Sequence, residues 1–179
     1  SMDAGRELVR RLALHADVLI ENYKVGTLAR YSLDYETLSK DNPRLIYCSI
    51  TGFGQTGPYR QKPGYDTIVQ AMGGLMSITG SDASDGGGTG PTKSGVAVAD
   101  QMTALYSSVA ILAALQERQS SGLGQAIDMS LLDVQVASLT NIGLNFLATG
   151  KVPVRQGNRL STVYPSDTFR CSDGDIMLI

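Results

Sequence analysis

The sequence predicts an α/β fold on an open, mainly parallel sheet, with the start of a second, smaller unit near its end. Three observations predict it. Two short segments, Asp17–Asn22 and Arg44–Thr51, are apolar inside and polar at their carboxyl ends, as buried strands of a parallel sheet are. They alternate with helical patterns, and helix–strand–helix–strand order implies parallel pairing. Beyond residue 150 the pattern changes: a polar, proline-containing link, Lys151–Arg159, precedes a hairpin signature over Ser166–Ile179.

Taken in order, residues 3–15 read as a helix with Leu8, Val9 and Leu12 on its apolar side, and Asp17–Asn22 as the first strand. Gly26–Tyr31 and Tyr35–Lys40 read as short helices, the second stopped by Asn42-Pro43. Arg44–Thr51, rich in Ile, Tyr and Thr, is the next strand. In open α/β sheets ligands bind outside the carboxyl ends of the strands. That rule marks Asn22-Tyr23-Lys24 and Gly52–Gly57 as candidate ligand positions. The glycines of Gly52–Pro58 do not match a dinucleotide fingerprint, so this loop is either a surface turn or a ligand-facing one. Thr67–Ser77 carries Ile68, Val69, Met72 and Leu75 at helical spacing, and Gly73-Gly74 weakens that helix or permits a close backbone approach. Residues 80–93 read as a low-complexity loop; Gly86-Gly87-Gly88 lacks the lysine and the feeding strand of a phosphate loop.

Ser94–Gln119 is the central stretch. A short apolar run, Val96–Ala99, ends in Asp100, and a helical pattern follows, with Met102, Leu105, Val109 and Leu112 on one face. Asp100 admits two readings: an N-cap, which the local pattern favours, or a nucleophile. Gly122-Leu123-Gly124 closes the helix. Gln125–Ser130 reads as a strand, and Leu131–Leu147 as a helix with Leu132, Val136, Leu139, Leu144 and Leu147 inward. Asp133 is an early-turn residue favoured by the helix dipole. The final hairpin turns at Ser172–Asp175. Its last strand, Ile176–Ile179, ends abruptly and the usual first strand is missing, so the chain reads as a middle piece of a larger protein.

Composition excludes several classes. The 179 residues are 42% hydrophobic and 18% charged, with net charge −2, a globular balance with no basic patch for nucleic acid. The longest apolar run, Val109–Leu115, is too short to span a bilayer. Two distant cysteines, Cys48 and Cys171, argue against a disulfide framework and for a reducing cytoplasm. The single histidine, His15, has no nucleophile beside it in sequence, which removes Ser-His and Cys-His relays and metal sites built from several His or Cys ligands. Chemistry must come from carboxylates, hydroxyls, lysines or the backbone.

With these residues in view, the sequence resembles the class III CoA-transferases, the family that includes formyl-CoA transferase and the acyl-CoA racemases. The matching stretches are Ala16–Tyr35, Asn42–Asp66, Val96–Asp100 with its helix, and Gly122–Asp133. The resemblance implies a Rossmann-like sheet, with residues 1–150 forming part of the large CoA-binding domain and 151–179 the linker and beginning of the small domain. It implies that Asp100 is the nucleophile of a two-step acyl exchange, ionised and kept at low pKa by its helix terminus. CoA-binding positions fall on Asn22, Tyr23, Lys24, Arg30, Lys62, Pro63, Gly64 and Tyr65, with the cations meeting phosphates and the tyrosines packing on adenine or pantetheine. The CoA thioester is a substrate, with no permanent cofactor. The other partner is a small carboxylic acid, and the dicarboxylate subgroup of the succinate and glutarate type looks closest. The family forms interlocked homodimers. Two alternatives stand beside the transferase: an α-methylacyl-CoA racemase, which carries a histidine where this chain has Tyr65, and a non-catalytic CoA-binding or structural fragment.

Overall fold

The computed structural model describes residues 2–82, 90–160 and 163–179. Three parallel strands, β1 (Val18–Glu21), β2 (Ile46–Thr51) and β3 (Ala126–Ser130), form a sheet in the order β1-β2-β3. Val18 pairs with Ile46, and Tyr47 with Ala126. β2 is the middle strand, and its first four residues are buried, which is why Leu45–Cys48 is an unbroken apolar run. Around the sheet lie α1 (Met2–Ala13), α2 (Tyr35–Asp41), α3 (Asp66–Met72), α4 (Leu75–Ile78), α5 (Val98–Ser121), α6 (Leu131–Ala137) and α7 (Thr140–Thr149). The predicted helix at Gly26–Tyr31 is only a 3-10 turn, Ala29–Tyr31. A separate antiparallel hairpin joins β4 (Asp167–Arg170) to β5 (Asp175–Leu178), closed where the Cys171 N–H donates to Gly174 O at 2.7 Å. The Gly86–Gly88 run lies outside the described residues.

Two apolar clusters hold the sheet. Ala13, Leu33, Leu38, Leu45 and Tyr47 pack on one side, and Val69, Ala99 and Leu131 meet near Ile50 on the other. Asn42 pins the end of α1, donating to Ala13 O at 2.9 Å and Ala16 O at 3.0 Å.

Helix α5 runs against β2 and β3 and touches α3 and α6. Its buried Arg118 donates to Arg44 O at 2.8 Å and pairs with Asp17 Oδ1 at 2.8 Å. Those partners precede β1 and β2, so the carboxyl end of α5 is tied to the amino edge of the sheet. The start of α5 therefore lies at the opposite edge, where the strands end.

Four sequence expectations differ from the structure. The face of α5 carrying Leu105, Val109 and Leu112 is 61%, 67% and 65% exposed. The buried face is Ala99, Thr103, Ser107, Ala114 and Arg118, because small side chains let the helix approach the sheet. The 24-residue helix as a whole is long and apolar enough to cross a bilayer by length and composition, unlike its apolar core alone; here it packs on the sheet. Leu131–Leu147 is not one helix: α6 and α7 meet at a 78° bend, with Leu131, Val134 and Gln135 buried and Val136, Leu144 and Leu147 exposed. Leu8, Val9 and Leu12 of α1 are also exposed.

Both roles anticipated for Gly73-Gly74 occur. Gly74 adopts φ +89° and separates α3 from α4. A Cβ on Gly73 would stand 2.6 Å from the Gln135 Cγ, so α3 and α6 meet there at glycine distance.

Candidate active site

A cleft of about 430 Å³ opens at the carboxyl edge of the sheet. Asn22, Tyr23 and Lys24 enter it directly after β1; Lys62, Pro63, Gly64 and Tyr65 enter it from the segment leading into α3. Asp100 enters it from the first turn of α5, and Thr51, Gly52, Arg60, Thr103 and Leu131 also line it. The topology thus brings eight of the nine predicted residues into one wall. Arg30 is the exception: it sits exposed on the 3-10 turn and does not line the cleft.

The two loops of the wall meet backbone to backbone. A Cβ on Gly52 would overlap Gly64 Cα, and one on Gly64 would overlap Gly52 Cα. Gly64 is therefore required by packing, whatever it binds. The rest of the glycine loop turns away: Gly54 and Gly57 have φ +81° and +82°, and the Gln55 N–H donates to Asp128 Oδ2 at 2.9 Å. Asp128 anchors that turn, a role sequence reading did not assign. Asp133 is an early-turn residue, as expected, with its N–H donating to the cap Ser130 Oγ at 3.3 Å.

Aromatic and cationic groups surround the opening. Tyr23 and Tyr65 are 57% and 71% exposed, leaving ring faces for a ligand. The Lys62 ammonium lies 4.0 Å from the centre of the Tyr59 ring, and Tyr59 meets Phe53 edge-on at 5.5 Å, so the lysine is steered by a cation–π contact. Lys24 and Arg60 add two further cations to the wall.

Asp100 departs from the predicted cap. Ala97 holds the N-cap position of α5, without a side-chain bond, and Asp100 is the third helical residue. The capping oxygen comes from another element: Asp66 Oδ1 accepts from Ala99 N at 2.8 Å and from Asp100 N at 3.3 Å. Consequently the helix terminus does not hold Asp100 at low pKa. Its carboxyl is pushed up from the ordinary carboxylate value, first by desolvation and then by the negative charge of Asp66. The residue as a whole is exposed, so this desolvation is partial.

Asp66 and Arg60 are site residues that sequence reading missed. Asp66 had a signal, standing at the end of Pro63-Gly64-Tyr65-Asp66 and four residues before Gln70 on a helical pattern. Arg60 had none beyond its charge.

The sequence pattern of CoA-transferase family III matches residues 1–179. The chain belongs to CoA-transferase family III. Within the family it is similar to a succinate–glutarate CoA-transferase of Agrobacterium fabrum, at 55% identity over 97% of this chain and 42% of that protein. It is 42% identical to a succinyl-CoA:glutarate CoA-transferase of Mus musculus, over 97% of this chain and 39% of the relative. A solved CaiB/BaiF family protein from Brucella suis superposes with a TM-score of 0.88 at 51% identity, covering 97% of this chain and 45% of that one. The chain spans about two fifths of the length of these curated relatives.

Proposed function

We propose that the complete protein transfers CoA from an acyl-CoA to a small dicarboxylic acid through a covalent intermediate on Asp100. One observation carries the reading: the Asp100 carboxylate stands in a cleft whose walls supply Tyr23, Lys24, Lys62 and Tyr65. The names of the relatives point to succinate and glutarate as the acid class.

The electron bookkeeping needs no proton. An Asp100 carboxylate oxygen attacks the thioester carbon, the C–S bond breaks, and CoA leaves as thiolate with the electron pair. The thiolate then attacks the Asp100 carbonyl of the mixed anhydride, forming an aspartyl–CoA thioester and releasing the donor as carboxylate. The acceptor carboxylate attacks that thioester and expels the thiolate a second time, leaving its own mixed anhydride with Asp100. Attack of the thiolate on the acceptor carbonyl yields the new acyl-CoA and frees Asp100. Every nucleophile is already ionised near neutral pH, so the lack of a histidine relay is no obstacle. Desolvation serves the first step, because a carboxylate of raised basicity is the stronger nucleophile.

Asn22, Tyr23, Lys24 and Lys62–Tyr65 bind CoA in this reading, with Lys24, Lys62 and Arg30 meeting its phosphates and the two tyrosines its flat or apolar parts. Arg30, outside the cleft, is left for the phosphates furthest from the thioester. Residues 1–150 belong to the large CoA-binding domain, and 151–179 are the linker and beginning of the small one. The complete protein works as a cytoplasmic homodimer, a reading that the free thiols of Cys48 and Cys171 and the exposed faces of α1, α5 and α7 support.

The test is chemical. Incubated with succinyl-CoA, the complete protein is expected to carry a hydroxylamine-sensitive adduct on the Asp100 peptide, read by mass spectrometry, and Asp100→Asn to carry none. CoA binding without an adduct would favour a binding module. Exchange of the α-proton of a branched acyl-CoA, with no acceptor acid present, would favour a racemase.

A further inference from the structure

Asp66 lies outside the substrate segment Lys62–Tyr65, yet it joins that segment to the helix start that carries Asp100. It directly follows Tyr65, the last residue of the Lys62–Tyr65 segment, and its Oδ1 takes the N–H groups of Ala99 and Asp100. Its other oxygen, Oδ2, accepts from Gln70 Nε2 at 2.6 Å. Gln70 is wholly buried, and its Oε1 accepts from Ser94 N at 2.8 Å. A single Asp–Gln pair, one turn apart on α3, therefore holds the loop at Ser94 and the first turn of α5 together.

We propose that Asp66, oriented by the buried Gln70, is the positioning residue of the Asp100 nucleophile: it locks the attacking carboxylate and the Lys62–Tyr65 segment into one rigid body. The inference rests on the proposed role of Asp100. Its physical basis is geometric. The apolar contact between α3 and the start of α5 runs through Val69 and the small Ala99, and Ala97 offers no capping side chain. Without Asp66 the first turn of α5 loses the acceptor for two amides, and frayed first turns do not hold a carboxylate in one attack geometry.

Two consequences follow. With Val98 N donating to Val96 O at 2.9 Å and Gln101 N to Ala97 O at 3.0 Å, every amide from Val98 to Gln101 is engaged. The oxyanion formed when the thioester is attacked therefore receives no hydrogen bond from the start of α5. The second concerns charge. The charged and titratable groups sharing the cleft with Asp100 are Asp66 from α3, Tyr23 and Lys24 after β1, and Arg60, Lys62 and Tyr65 from the loop; β2 and α6 offer only the neutral Ile50, Thr51 and Leu131. Asp66 is the only other carboxylate among these residues, and its charge favours the protonated form of Asp100.

The experiment compares the complete wild-type protein with Asp66→Asn and Asp66→Glu, using succinyl-CoA and glutarate, and reads kcat, KM and the pH profile. Asp66→Glu keeps the charge and moves the carboxylate by one methylene. It is expected to lower kcat about tenfold to a hundredfold, with KM for the thioester changed by less than about twofold and the acid limb in place. Asp66→Asn keeps an oxygen for the amides, removes the charge and turns a donor toward Gln70. It is expected to lower kcat and to move the acid limb to lower pH. Wild-type kcat in Asp66→Glu, or a loss carried by KM alone, overturns the proposal, and Asp66→Glu decides by itself where Asp66→Asn does not fold. A wild-type protein that forms no adduct on Asp100 removes the proposed function instead, and this inference falls with it.

Discussion

The catalytic role proposed for Asp100 comes with an energetic penalty. Its carboxyl is held above its ordinary pKa by desolvation and by Asp66, so the folded state binds a proton that the unfolded chain has already released. Stability is then greatest at low pH and declines as pH rises from the ordinary carboxylate value through the raised one. Asp100→Asn is expected to abolish the covalent adduct while raising the thermal midpoint at pH 7, and the gain should vanish in acid below the unfolded-state value near 3.8. A midpoint that falls at pH 7 would contradict the charge balance described for this site. The same scale explains Gly64. Its Cα lies against Gly52, so Gly64→Ala is expected to destabilise the protein by about 1–3 kcal/mol, measured by urea unfolding, and to weaken acyl-CoA binding as the loops part.

At the scale of elements, α5 is fixed at both ends by groups from distant parts of the chain. Asp66 caps its start, and the Arg118–Asp17 pair ties its end to the sheet. The two members of that pair are unequal: the side chain of Arg118 is 9% exposed and that of Asp17 is 75% exposed. Removing Asp17 leaves a buried guanidinium with the Arg44 carbonyl as its remaining partner, whereas removing Arg118 leaves a carboxylate that water can reach. Asp17→Ala is therefore expected to cost about 1–3 kcal/mol, more than Arg118→Met, which keeps the apolar stem and sheds the charge. Equal losses in a denaturation series would show that the stem, rather than the pairing, holds the helix end. The close approach of α3 and α6 at Gly73 belongs to the same frame, because it sets α3, and with it Asp66, at its distance from α5.

For the whole molecule, the dominant feature is the apolar surface on α1, α5 and α7, which includes Leu12, Leu105, Val109, Leu112, Leu144 and Leu147. Surfaces of this kind mark contact with more protein. Produced as these 179 residues alone, the chain is expected to bind a hydrophobic dye and to aggregate without a defined size at micromolar concentration, and the complete protein to form a dimer of defined size that binds no dye; light scattering and dye fluorescence read both. The same surface shows what a sequence can and cannot determine. The Lys62–Tyr65 wall was marked only by the family resemblance, whereas apolar runs with polar ends marked β1 and β2, and the strand-end rule located Asn22–Lys24. These features were legible because strand burial and turn chemistry are written in adjacent residues. Periodicity in α5 grouped Leu105, Val109 and Leu112 on one face, but only packing showed that Ala99, Thr103 and Ser107 are the side that meets the sheet. The cap of α5 was invisible for a related reason. Its oxygen comes from Asp66, more than thirty residues earlier in the chain, and a hydrogen bond between distant segments leaves no local pattern. The sequence by itself determined the sheet, the strand ends and the carboxylate at Asp100; the tertiary structure decided which group caps the helix, and so why that carboxylate is pushed up rather than down.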